Sequence, residues 1–324
     1  MGLFKRITRK ILNRIDLPYS VIVVLPAYLL RAYRLAGSKE MPKTTKRLEK
    51  LGVFPIINHY YEPLFDTRDL EKRLIGSPRK LPGINLDLAG QRKFLTNLAY
   101  SKELIAESWN VKKEKNTLEF FLSNGAFESG DAEFLYQMIR YCKPNTIVEV
   151  GSGYSTRIVK LANSKNNSES GSITRHICVE PYEHAWLDST EGIEIVRDKI
   201  EDFGFEWSSL KENDLVFIDS SHIIRPHGDV LQIYLGIIPL LPSGVILHIH
   251  DIFTPRDYLS EWIIRDKRFW NEQYLVEVML QNSSRHEIVA ALNFLKHEIY
   301  DELKIVCPYL TPEREPGSIY IRIK

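Results

Sequence analysis

From about residue 126 onward the chain alternates between short, uninterrupted apolar runs and longer amphipathic ones. Apolar runs of four to eight residues bounded by turn residues predict strands at TIVEV (146–150), HICVE (176–180), IEIV (193–196), DLVFID (214–219) and GVILHIHD (244–251). Two more follow, near 286–292 and in the terminal GSIYIRIK. Helical spacing fills Asp131–Cys142 (stopped by Pro144), Arg157–Ala162, the approach to IIPLLPSG, and a stretch near 270–281. Strands apolar on both faces and separated by helices predict an α/β fold. It is a doubly wound, mostly parallel seven-stranded sheet with helices on both faces and the last strand antiparallel at the edge.

The first 125 residues follow another pattern. In MGLFKRITRKILNRI, Lys5, Arg6, Arg9, Lys10 and Arg14 interleave with Leu3, Phe4, Ile7, Ile11 and Ile15, which gives a helix with one apolar and one cationic stripe. LPYSVIVVLPAYLL (17–30) is apolar apart from Ser20 and is interrupted by Pro18 and Pro26; as a helix it reaches about 21 Å, short of a ~30 Å hydrocarbon core. Residues 51–125 are punctuated by Pro55, Pro63, Pro78, Pro82 and Gly83, with helical spacing from about 88 to 109. The expected organisation is therefore a helical N-terminal arm (1–50), a helical lid or accessory layer (51–125) and a sheet domain (126–324).

Composition narrows the classes. With 44% hydrophobic and 26% charged residues the chain has the balance of a folded protein, and a net charge of +1 gives no reason to expect nucleic acid as a partner. Three scattered cysteines, Cys142, Cys178 and Cys307, make neither a disulfide framework nor a zinc cluster and fit a reducing, cytoplasmic setting. The net charge conceals an asymmetry: residues 1–50 hold twelve Lys/Arg and three acids, net +9, whereas the remainder holds 31 bases and 39 acids, net −8. A basic, apolar arm over residues 1–35 suits the anionic inner face of a membrane. The competing reading packs it on its own domain or on a partner subunit. A secretory signal is disfavoured by the prolines and the missing cleavage site, and myristoylation at Gly2 by Arg6. No feature of the sequence sets an oligomeric state.

The densest chemistry is in VEVGSGYS (148–155), a strand ending in an acid and a Gly-x-Gly-x-Ser turn opening a helix. Gly151 and Gly153 permit a tight turn and close approach to a ligand. A dinucleotide-binding turn would carry a third glycine where Thr156 stands, and Glu149 would repel a pyrophosphate while suiting an ammonium group. The competing reading is a tight turn with no ligand. On these residues the chain resembles the S-adenosylmethionine-dependent methyltransferases of the Rossmann-like class, including bacterial methyltransferase-like proteins of unassigned substrate, over about 126–324. The resemblance implies that Glu149, Gly151, Gly153 and Ser155 form the cofactor turn, that Glu180 holds the ribose hydroxyls, and that Asp198 lies near the adenine. It extends to Asp219 as a further cofactor contact.

A second constellation is FIDSSH (217–222) with HIHDIF (248–253). Asp219 and Asp251 end parallel strands, where such sheets bind ligands, with His222 and His250 beside them and His227 and Asp229 just downstream. Two carboxylates and a histidine make a first shell for a divalent metal, and the arrangement resembles catechol-type and sugar O-methyltransferases that use Mg²⁺ or Mn²⁺ at Asp219- and Asp251-like acids. Ile252 departs from that pattern, which places an Asn after the second acid. Without metal, His222 or His250 is the general base. Strand alternation puts His248 and His250 on one face and Asp251 on the other, with the deeper His248 a core residue. Asp219 as a mere turn cap is the bland alternative. His59, Tyr60, Tyr61 and Glu62 are candidates for an acceptor pocket or simple packing, and Trp262, Phe269, Trp270 and Tyr274 read as core.

These readings converge on O-methylation of a hydrophilic small-molecule acceptor, such as a saccharide or a lipid-linked precursor at the inner membrane face. Two other readings remain open: a non-catalytic, membrane-docked scaffold with this fold, and a metal-dependent oxygenase or hydrolase using Asp219, His222 and Asp251.

Overall fold

TIVEV forms β1 (Thr146–Val150), flanked in parallel by β2 (Arg175–Val179) and β4 (Leu215–Ile218). In the computed structural model, β3 (Glu194–Val196), β5 (Ile246–Ile249), β6 (His286–Ala291) and β7 (Ile319–Ile323) complete a seven-stranded sheet in the order β3-β2-β1-β4-β5-β7-β6. The first five strands are parallel; β7 pairs antiparallel with both β5 and β6. The C-terminal antiparallel strand thus sits one place in from the edge, which β6 occupies. Burial explains it: Ile319, Tyr320, Ile321 and Ile323 are all enclosed, whereas the first three residues of β6 are partly exposed. The structure describes residues 15–58, 62–65, 67–70, 76–106, 109, 119–171, 173–182 and 184–324.

The chain divides into two units, Met1–Arg73 and Leu74–Lys324. In the first lie α1 (Asp16–Ile22), α2 (Val24–Ala36) and α3 (Pro42–Leu51), the expected helical extension. α1 and α2 meet at a 43° bend, and among the described residues no single helix is long and apolar enough to cross a membrane. Pro26 lacks the N–H that would bond Ile22, which accounts for the break at Val23. Tyr33 Oη and Thr45 Oγ1, 2.8 Å apart, join α2 to α3. The amphipathic stretch 1–14 and His59, Tyr60 and Tyr61 lie outside the described residues. Glu62 accepts from the Arg34 guanidinium (Nη2–Oε2 2.7 Å) inside this unit.

Within the second unit, the helical spacing at 88–109 resolves into α4 (Leu88–Leu95), capped by Asp87 on Gly90 N–H (3.1 Å), and α5 (Ser101–Ala106). Both belong with the sheet. Leu95, Leu98 and Leu104 enter its apolar core, and Gln91 Oε1 accepts from Ala291 N–H at the end of β6 (2.7 Å). Among the described residues the boundary between units therefore falls at 73/74, and α4 and α5 form an accessory layer of the sheet domain.

Strand alternation sorts the core into two layers. Ile147, Leu215, Phe217 and Ile246 face α6 (Asp131–Cys142) and α7 (Tyr154–Ser170), whereas Val148, Val150, Ile177, Val179, Val216 and Ile218 face α8 (Asp229–Leu240) and α9 (Glu272–Leu280). Each such side chain removed from water contributes about 1.5–3 kcal/mol. On the first layer, buried Arg140 bonds Glu103 of α5 (Nε–Oε2 2.8 Å) and Glu169 of α7 (Nη2–Oε1 2.5 Å), with Asn166 as a further partner. The chain order reverses between β1 and β4, so the carboxyl ends of β1, β2 and β4 open a crevice where such sheets bind ligands.

Candidate active site

The glycine turn is held by its strand neighbours. Gly151 N–H donates to Val179 O (3.0 Å) and Asp219 N–H to Val150 O (2.9 Å), which ties the ends of β1, β2 and β4 together. Gly151 has φ +81°, and a Cβ there would lie 2.0 Å from the Asp219 carbonyl oxygen. Gly153, extended at φ −172°, precedes α7 and donates its N–H to Thr156 Oγ1 (3.0 Å).

Glu149 requires a correction. Glu149 is fully buried; its Oε1 accepts from Ser155 Oγ (2.6 Å) and Thr156 Oγ1 (3.0 Å), and its Oε2 pairs with His176 Nε2 (2.8 Å). It shares a sheet face with Ile147, so it points beneath the turn and not into the crevice. Its carboxylate clamps the first turn of α7 where an ammonium contact was expected, and the Ser155 hydroxyl is spent on it. Cys178, fully buried beside this pair (Sγ to Oε2 3.6 Å), has its thiol pKa pushed far up by burial and by the Glu149 carboxylate.

Two adjoining clefts, about 590 and 290 Å³, share Gly151, Glu180, Asp219 and Ser220. The larger continues along Val179, Tyr182, Lys199, Ile200 and Arg225, the smaller along Phe127, Gly153, Tyr154, Ser155 and His184, so Ser155 stands at the cleft as expected. Glu180, at the end of β2, borders both, with Oε1 accepting from Tyr182 N–H (2.8 Å). Asp198 does not border either; Lys199, Ile200 and Glu201 stand at that wall. Among the described residues, none between 51 and 125 borders them either.

Beyond Asp219 lies a compact polar cluster. His222, at φ +59°, turns its ring inward onto Trp270 (centroids 4.2 Å apart). Its Nδ1 donates to Glu272 Oε2 (2.9 Å), and its Nε2 lies 3.2 Å from Asp219 Oδ1 and 3.5 Å from Asp251 Oδ2. His250 Nδ1 lies 3.6 Å from Asp219 Oδ1 and 3.7 Å from Asp251 Oδ1, with Asp131 Oδ2 4.0 Å from its Nε2. The alternation rule fails here because Asp251 leaves the strand at φ +59°, so His250 and Asp251 converge on one site. His248 is a core residue: it is fully buried, stacked on Tyr320 (4.2 Å) and bonded to Ser318 Oγ (2.9 Å). Asp229 takes Ser221 N–H and Oγ (both 2.7 Å), and His227 lines the larger cleft.

Charge within the cluster is mutually fixed. Burial opposes ionisation of Asp219, but His250 and His222 outweigh it and hold its carboxyl well below the usual range. Burial likewise opposes the His250 cation, yet Asp251, Asp219 and Asp131 lift its pKa to about 9. The same balance, with Asp219 and Glu272 as partners, raises His222. Asp251 is pushed up, chiefly by burial.

Residues 148–252, about a third of the chain, carry the turn, Glu180, Asp219, His222, His250 and Asp251 and match a family model described as a methyltransferase domain. These residues form a methyltransferase domain. An uncharacterized protein of Archaeoglobus fulgidus is 26% identical over 140 residues, 42% of this chain, and the match spans only 61% of that relative's length. Among solved structures the chain is similar to the O-methyltransferase from Bacillus cereus in complex with SAH (14% identity, 80% of this chain and 96% of that one, TM-score 0.35). It is also similar to the O-methyltransferase TomG from Streptomyces achromogenes in complex with SAM (11%, 80% and 95%, TM-score 0.34).

Three groups of this cluster are not marked in the sequence. Glu272, fully buried in the first turn of α9, receives Ser220 Oγ (2.8 Å), His222 Nδ1 and Tyr234 Oη (3.0 Å). In the sequence it is an ordinary acid at a helix start. Trp270 reads there as core, and Asp131 only as a helix beginning; in the fold its carboxylate accepts from Gly317 N–H (3.0 Å) and Ser318 Oγ (2.6 Å).

Proposed function

We propose that the protein transfers a methyl group from S-adenosylmethionine to an oxygen of a hydrophilic small molecule, such as a saccharide or a lipid-linked precursor. One observation carries this reading: Glu180 and Asp219 flank the glycine turn on neighbouring strands and border the same two clefts. A carboxylate at Glu180 suits a ribose diol, since its oxygens can accept two hydrogen bonds. Ile200 supplies an apolar wall in the larger cleft, and Gly151 and Gly153 let the backbone approach a ligand in the smaller one. The bound cofactor supplies an electrophilic methyl group on sulfur. The chain's share of the chemistry is to align the acceptor oxygen and take up its proton.

That second task falls to the cluster. Glu272 fixes the His222 ring so that Nε2 faces Asp219 and Asp251. Asp219, His222 and Asp251 offer three ligand atoms within 4.8 Å of one another, and a carboxylate behind the histidine is the usual support of a metal-binding imidazole. The donor set fits a hard divalent cation such as Mg²⁺ or Mn²⁺, which supplies Lewis acidity that lowers an acceptor hydroxyl's pKa. His250 lies within reach of the same carboxylates, which hold it protonated to about pH 9, so it takes the acceptor's proton only in its neutral form above that pH.

Calorimetry with S-adenosylmethionine tests the reading. Micromolar binding by the wild type and at least about tenfold weaker binding by Glu180→Ala, at unchanged melting temperature, is the expected result. No binding by the wild type overturns it. S-adenosylhomocysteine release before and after EDTA separates metal-assisted from metal-free transfer.

A further inference from the structure

The N-terminal helices present an apolar surface that nothing among the described residues of the first unit covers. Of α1 and α2 only Tyr33 is buried, while Leu17, Val21, Ile22, Leu25, Tyr28 and Leu29 are all more than 60% exposed. Soluble proteins rarely leave so contiguous an apolar patch in water. A helix meant for a protein groove carries one apolar stripe; here every residue from 15 to 29 is exposed, and Tyr19 and Val23 place apolar side chains opposite the stripe of Leu17, Val21, Leu25 and Tyr28. From Leu17 to Leu30 there is no charged residue, and basic residues stand on both sides: Arg9, Lys10 and Arg14 before, and Arg31, Lys39 and Lys43 after. An uncharged apolar segment bracketed by cations matches a bilayer's apolar interior beneath anionic headgroups. The 43° bend at Val23 gives two short apolar rods in place of one span.

We propose that residues 17–30 insert into the surface leaflet of an anionic lipid bilayer, with the flanking Lys and Arg on the headgroups, and that this holds the methyltransferase at the membrane. The bend sets a shallow, re-entrant depth. The proposal is independent of the acceptor and of the metal, because it rests only on the exposed helices and their charged flanks.

The test is flotation of the full chain with vesicles of phosphatidylcholine alone or mixed with phosphatidylglycerol, at about 0.1 M and about 1 M NaCl, where screening shortens from about 10 to 3 Å. Wild type is expected to float with the mixed vesicles and to keep a measurable bound fraction at high salt, as insertion requires. The triple variant Val21→Glu, Leu25→Glu, Leu29→Glu is expected to partition at least about 100-fold more weakly while binding S-adenosylmethionine like the wild type. In Tyr28→Trp, lipids brominated in their acyl chains are expected to quench the new indole fluorescence. The proposal is overturned by wild-type protein that stays with the soluble fraction, by equal flotation of the triple variant, or by a Tyr28→Trp variant whose added fluorescence the brominated lipids leave unquenched. It is also overturned if sedimentation shows the apolar helices buried between two copies of the chain and the triple variant merely dissociates them.

Discussion

Gly151→Ala and Gly153→Ala form a matched pair whose members look equivalent in the sequence and differ in the structure. At Gly151 an L-residue meets two costs. The backbone sits at φ +81°, worth about 1–2 kcal/mol against any residue with a Cβ. The added carbon would also lie 2.0 Å from the Asp219 carbonyl oxygen, a backbone atom that cannot rotate away, and overpacking of this kind costs typically about 1–3 kcal/mol. Together they amount to about 3 kcal/mol, and relief of the clash must move Asp219, loosening its 2.9 Å bond to Val150 O. At Gly153 the backbone is extended and the new Cβ meets only the His184 ring, at 3.2 Å. Loss of unfolded-chain entropy offsets part of that contact, so the change should stay within about 1 kcal/mol of the wild type. Urea unfolding gives both stabilities, and calorimetry gives S-adenosylmethionine affinity, expected to fall at least about 100-fold in Gly151→Ala. The reasoning is refuted if Gly151→Ala is as stable as wild type and binds the cofactor within threefold, or if Gly153→Ala proves equally damaging.

Three further outcomes follow from the geometry. Glu272→Gln leaves an amide facing donors from Ser220, His222 or Tyr234; it should cost about 1–3 kcal/mol of stability and slow methyl transfer without changing cofactor affinity, read by thermal melts, turnover and calorimetry. Arg140→Met removes the tie among α5, α6 and α7. Because Glu103 and Glu169 are partly exposed, the loss should be about 2–3 kcal/mol by urea unfolding, below the figure for a fully buried pair. Burial raises the Glu133 carboxyl to about 7 from 4.5, so the folded protein holds this proton more tightly than the unfolded chain does. Its contribution to stability is therefore complete below about pH 4.5 and lost as pH rises through about 7. The wild type's stability relative to Glu133→Gln should accordingly fall by about 3 kcal/mol over that window, measured by unfolding at each pH.

Much of the site is readable because the strand signal and the turn signal coincide. An apolar run ending in an acid, followed at once by Gly151 and Gly153, marks a strand–turn–helix at the sheet's carboxyl edge, and Asp219 and Asp251 close two further strands of the same kind. Glu149 misleads as a cofactor ligand although its face is legible. Counting by twos places it with Ile147, and the same count sets His176 and Cys178 on the matching face of β2, where they meet it. The pairing of His250 with Asp251 is hidden because one left-handed residue breaks the alternation. Glu272 and Trp270 lie about fifty residues from His222, and only the packing of α9 against the sheet brings them behind its ring. Local pattern carries no trace of such a contact.

Cys178, enclosed beneath the glycine turn, gives the protein a built-in recorder of its own opening. In the closed sheet this thiol is fully buried and holds its proton, so alkylating reagents find almost no thiolate to attack. Cys307 is equally enclosed at the start of α6, with Sγ 3.6 Å from Gly130 O. Labelling at either position therefore times the excursions in which the strands part. Comparing Cys178 with Cys307 in the presence of ligand would tell whether a molecule resting on the turn slows the breathing of that corner alone or of the whole sheet.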